Sequence, residues 1–110
     1  MDEIDRLTQE LLQAIKNSSI YRVYREKEDQ LSNDRELFER VNRFRGNNFY
    51  MQQNGDDLIR IAQQVAQESK ELRRISKVNA YLDAELDFCR MMQKICATLT
   101  EGIDFAAPDL

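Results

Sequence analysis

Histidine is absent from this chain of 110 residues, which removes both the usual general base near neutral pH and the commonest transition-metal ligand. Proline occurs once and glycine three times, so the residues that punctuate sheets and loops are scarce. No stretch approaches the roughly 18 consecutive apolar residues of a membrane span. The start, Met1-Asp2-Glu3, is acidic where a signal peptide is basic, and the expectation is a cytoplasmic protein with no membrane partner. No Gly-rich loop follows a strand-like segment, so the usual nucleotide fingerprints have no context. Neither an enzyme nor a cofactor is expected.

What the chain does have is 42% hydrophobic and 33% charged residues, a balance that suits helices in a single domain. The expected domain spans residues 1–103, with 104–110 as a flexible C-terminal tail. A formal charge of -4 argues against nucleic acid as a partner, because such affinity rests on Lys and Arg displacing counterions. Arg22, Arg25, Lys27, Arg40, Arg43 and Arg45 nevertheless make the second and third helices basic while the tail is acidic. Weak RNA binding through those two helices is therefore the alternative function.

Ile4, Leu7, Leu11, Leu12 and Ile15 step by threes and fours and predict a first helix over about 2–16. Asn17-Ser18-Ser19 stops it, and either serine can cap a second helix carrying Ile20, Tyr21, Val23, Tyr24 and Leu31. Asn33 with Glu36 has capping-box spacing ahead of a third helix with Leu37, Phe38, Val41 and Phe44. Propensity falls at Arg45-Gly46-Asn47-Asn48, where fraying or a kink is expected. Asn54-Gly55-Asp56-Asp57 predicts a break and then a fourth helix from near Asp57. Its seam, Leu58, Ile61, Ala62, Val65, Ser69 and Leu72, suits an antiparallel pairing with the last helix, from about Ser76 to Glu101. The fold class expected is all-α, an antiparallel long-helix hairpin or bundle of about five helices, and oligomeric.

Oligomerisation follows from the last helix. At 1.5 Å per residue it is roughly 38 Å long, whereas a compact globule of this size has a radius of gyration of only about 13 Å. Val78, Leu82, Cys89, Met92, Cys96 and Leu99 form one apolar seam, with Tyr81, Phe88 and Ile95 beside it. One partner helix cannot cover both, so a second subunit is expected over Val78, Tyr81, Leu82, Phe88, Met92, Ile95 and Leu99. A charged residue at Leu82 or Met92 is expected to break the assembly.

The chemical candidates are few. Glu85 falls on the seam between Leu82 and Phe88, where a carboxylate needs a partner, and Arg43 and Arg45 are the candidates for a buried ion pair that fixes helix register. Asp83 with Asp87, and Glu26 with Asp29, read as solvated faces and not as metal sites. Cys89 and Cys96 lie about 10.5 Å apart along the axis, too far for an intrachain disulfide, and read as small buried hydrophobes. The alternative is a metal or iron–sulfur cluster held by Cys89 and Cys96 across subunits.

The segment Val78-Asn79-Ala80-Tyr81-Leu82-Asp83-Ala84-Glu85-Leu86, continuing to Cys89-Arg90 and closing with Glu101-Gly102-Ile103-Asp104-Phe105, resembles the YlbF/YmcA family. Upstream, Asn17-Ser18 before Ile20-Tyr21 and Tyr24, then Leu31, Asp34 and Leu37 before Phe44-Arg45, is similar to that family's front half. The resemblance covers nearly the whole chain. It implies a YheA/YmcA-like, all-helical bacterial protein that dimerises or assembles further. It also implies kinship with regulators of competence, sporulation and biofilm formation that act in complexes with other regulatory proteins and influence RNA processing. No catalytic residue is implied. Some members work in an assembly associated with iron–sulfur clusters, but this chain lacks an extended cysteine-bearing tail.

Overall fold

The helices that begin at Glu3, Ser19, Arg35 and Ser76 each start where a short polar side chain, or a turn, can satisfy amide groups that the helix itself leaves bare. The computed structural model describes the backbone of residues 2–53 and 58–103, and the side chains of 2–47 and 59–103. Its elements are α1 (Glu3–Asn17), α2 (Ser19–Ser32), α3 (Arg35–Gln53), α4 (Leu58–Leu72) and α5 (Ser76–Glu101), and the described residues contain no strand. Asp2 caps α1 by accepting from the Asp5 amide at 2.8 Å. Ser18 is the single residue between α1 and α2; its Oγ accepts from the Tyr21 amide at 3.2 Å and donates to the Ile15 carbonyl at 2.6 Å.

Asp34, not Asn33, accepts from the Leu37 amide at 3.2 Å, while Asn33 closes α2. The capping-box expectation is thus off by one residue. Helix α3 is also continuous through Gly46 to Gln53, so it does not fray at 45–48. A lone exposed glycine costs a helix about 1 kcal/mol, which the rest of α3 outweighs. The break expected at 54–57 and the tail expected at 104–110 lie outside the described residues. Before α5, the Ile75 amide donates to the Leu72 carbonyl at 3.0 Å, and Val78 donates to Ile75 at 3.0 Å; no side chain caps this helix.

The packed pairs are α2 with α5, α3 with α4, α2 with α3 and α1 with α2. Helix α2 runs antiparallel to α5, since Asp34 beyond its end meets Lys77 at 3.6 Å and Tyr21 near its start meets the Phe88 ring at 5.4 Å. The expected pairing of α4 with α5 is therefore replaced. Tyr24 of α2 occupies the apolar face of α5, and α4 packs on α3, where Arg40 bonds Glu68 at 2.9 Å and Glu71 at 3.1 Å.

Leu31, Val41, Phe44, Leu72, Val78, Tyr81 and Leu82 form one buried cluster, with Tyr24, Leu37, Phe38, Val65 and Ile75 packed against it. It sits where α2, α3 and the start of α5 meet, and helix α1 contributes no buried residue. The Cα radius of gyration is 17.8 Å, well above the value of about 13 Å for a compact domain of this length. The accessible surface, 8680 Å², exceeds by about 2,300 Å² the roughly 6,300 Å² of a typical folded monomer of this mass.

Candidate self-association surface

Helix α5 divides into two halves at Phe88. The first half, opposite α2, buries Val78, Tyr81, Leu82 and Ala84. The second half continues past the start of α2, where α1 would have to cover it, yet α1 and α5 are not among the packed pairs. Met91, Met92 and Ile95 are consequently half-buried and Leu99 is 56% exposed, with Ile103 exposed beyond them.

Helix α1 has the reciprocal problem. Its period places Ile4, Leu7, Leu11 and Leu12 along the helix, and all four are exposed, Ile4 to 70%. Ile20 and Val23 of α2 extend this apolar surface. Two unpartnered apolar surfaces, each more than ten residues long, thus belong to one chain.

Of the seven residues expected at an intermolecular seam, Val78, Tyr81 and Leu82 lie instead in the chain's own core, because α2 and α3 cover that half of α5. Phe88 is half-buried against Tyr21 and Tyr24, and Met92, Ile95 and Leu99 remain on the uncovered half. Periodicity shows the stripe of α1 but not its exposure. The signal available was its strong amphipathicity without a designated partner.

Cys89 and Cys96 are both exposed, contrary to the expectation of buried thiols. Cys89 lies two turns beyond buried Leu82 on the same side of α5, and Cys96 two turns further, both past the part of the helix that the core covers. Among the described residues, no group of three or more His, Cys, Asp or Glu side chains could hold a metal ion.

Glu85 does meet an arginine. Arg45 Nη2 lies 2.6 Å from its Oε2, and the Tyr81 hydroxyl donates to the same oxygen at 3.4 Å. Arg43 is exposed and borders a cleft between α3 and α4 instead. The Arg45 guanidinium also stands 5.8 Å from the Tyr81 ring centroid, within cation–π range. Burial works against its charge, but Glu85, Tyr81 and Tyr24 outweigh that and raise its pKa. Tyr81 stacks on Tyr24 at 5.8 Å, Tyr24 on Phe88 at 5.3 Å, and Phe88 meets Tyr21 at 5.4 Å, so an aromatic column joins α2 to α5. This column ends where the uncovered half of α5 begins.

Part of the positive charge on α2 and α3 is paired within the chain. Arg25 pairs with Glu28 at 2.6 Å, Arg35 with Glu39 at 3.5 Å, and Arg40 with Glu68 and Glu71, whose hydrogen bonds and charge raise the Arg40 pKa. Arginines held this way have less to offer phosphates. No helix among the described residues is long and apolar enough to cross a membrane.

A family model described as control of competence regulator ComK, YlbF/YmcA, matches residues 4–104. No curated protein matches the chain, and no solved structure does.

Proposed function

The chain belongs to the YlbF/YmcA family, a regulatory family, and from that premise we propose that it is a non-enzymatic adaptor that works by binding a second copy of itself and then other regulatory proteins. The observation that carries this reading is the pair of uncovered apolar surfaces on α1 and on the second half of α5. Contiguous apolar surface is costly in water at about 25 cal/mol per Å², so a soluble chain that keeps it gains by covering it.

The occupant is a second copy because one chain leaves both apolar surfaces uncovered at once, so two copies can set α1 of each against the end of α5 of the other. Charge adds little to the match, since Arg6 already holds Glu3 at 3.7 Å and Glu10 at 3.0 Å, leaving Asp5 on α1 to face Arg90 and Lys94 of α5. The assembled helices would then present a continuous surface to a further protein acting in competence, sporulation or biofilm control, or in an RNA-processing complex. No cofactor enters this mechanism.

Sedimentation velocity across a dilution series tests the reading. A mass of at least twice 13.0 kDa at micromolar concentration, falling on dilution, is the expected result. A well-folded species of 13.0 kDa at every concentration would overturn it.

A further inference from the structure

A second feature of the molecule owes nothing to α1 or to the end of α5. Helices α3 and α4 enclose a cleft of 560 Å³. Its floor is apolar, made by buried Phe44 and half-buried Ile61 and Val65. Arg43 and Arg60 stand exposed along its edge, with the amides of Asn47 and Gln64 beside them, and the Arg40–Glu68 pair closes one end. Arg43 makes no ion pair or hydrogen bond among the described residues. An apolar trough edged by an uncommitted guanidinium fits a short peptide that alternates carboxylates with apolar side chains.

The chain carries such a peptide. Residues 104–110, Asp104-Phe105-Ala106-Ala107-Pro108-Asp109-Leu110, hold two carboxylates, an aromatic ring, a leucine and no basic group. We propose that the α3–α4 cleft receives residues 104–110 of a second copy, with Asp104 on Arg43 and Phe105 over Phe44 and Ile61. The exchange is between chains because the chain cannot reach its own cleft. Arg45, at the level of the cleft, meets Glu85, and α5 then runs 16 residues further to Glu101, about 24 Å along its axis. Phe105 is four residues beyond that and spans at most about 14 Å, so it falls short.

Docking of this tail is separable from association through α1 and α5, so either can fail alone. The probe is a labelled peptide with the sequence of residues 101–110, titrated with the full-length protein at low salt and followed by fluorescence anisotropy. Saturable binding is expected, weakened at least tenfold by Arg43→Glu, by Phe105→Ser in the peptide, or by changing both its aspartates to asparagine. Replacing the peptide's aspartates with lysine should restore binding to the Arg43→Glu protein. Arg43 is exposed, so this variant keeps its helical signal, checked by circular dichroism. Absence of saturable binding overturns the proposal, as does equal binding by the Arg43→Glu protein. A shuffled peptide of the same composition that binds as well also overturns it, since the cleft would then accept any acidic segment. An assembled mass with no peptide binding would remove this inference and leave the self-association reading standing.

Discussion

Arg45 of α3 reaches Glu85 of α5 at 2.6 Å, and these two residues tie helices whose backbones otherwise barely touch. The pair is neither buried nor free, with side-chain exposures of 39% for Arg45 and 22% for Glu85. Water screens part of the attraction, but removing one partner leaves a partly desolvated charge behind. A double-mutant cycle with Arg45→Met and Glu85→Leu, measured by urea unfolding, should give a coupling energy of about 1 kcal/mol. The same cycle on the more exposed Arg25–Glu28 pair should give about 0.3 kcal/mol. Equal values for the two pairs would mean that Arg45 and Glu85 do not set the register of α3 on α5.

Tyr81 stands next to that pair and should govern the alkaline limit of stability. Burial pushes its phenol well above the ordinary tyrosine value, while Arg45 pulls it down less strongly. The folded chain thus holds this proton more tightly than the unfolded chain. Its contribution is fully present below the unfolded value of about 10, and declines as pH rises from there toward the folded value. Unfolding midpoints should therefore fall above about pH 10, and Tyr81→Phe should flatten that fall while lowering stability slightly at pH 8 through loss of the hydroxyl's bond to Glu85. Parallel slopes for the two proteins would exclude Tyr81 as the cause.

The helices were legible in the sequence because their signals are local. Apolar spacing marked five segments, and Ser18 could be read as a cap from its own neighbours. Glu85 with Arg45 was also within reach, since a carboxylate on an apolar seam demands a partner. Pairing of helices was not legible. The seam of α4 fits α5 as well as α3 by period alone, and only the placement of Tyr24 against Tyr81 and Phe88 shows that α2 already fills that face. The same ambiguity put Val78 and Leu82 on an intermolecular seam and left the exposure of α1 unnoticed, because periodicity reports an apolar face and not what covers it.

Gly46 offers a check on the continuity of α3. A Cβ added there would meet nothing within 4 Å, and the residue lies in mid-helix. Gly46→Ala should raise stability by about 0.5–1 kcal/mol, by narrowing the unfolded ensemble and improving helix propensity. A loss of stability in urea or thermal unfolding would indicate that α3 bends at this residue in solution.

The two halves of α5 should answer differently to the same substitution. Leu82 is 7% exposed and packs with Val41, Phe44 and Leu72 in the chain's own cluster, so Leu82→Glu puts an unpaired carboxylate in the core and should cost about 3–5 kcal/mol. The described core is small, and this loss is enough to unfold much of the population, seen as lost helical signal. Leu99 touches none of that cluster and is 56% exposed. Leu99→Glu should leave the intrachain packing intact at high concentration while shifting the sedimentation profile toward lighter species, and Ile4→Glu on α1 should do the same. If Leu99→Glu and Ile4→Glu sediment as the unaltered chain does, the uncovered surfaces of α1 and α5 do not meet a second copy. If Leu82→Glu keeps its helical content and only dissociates, then the intrachain core around α2 and α3 is not what holds the first half of α5.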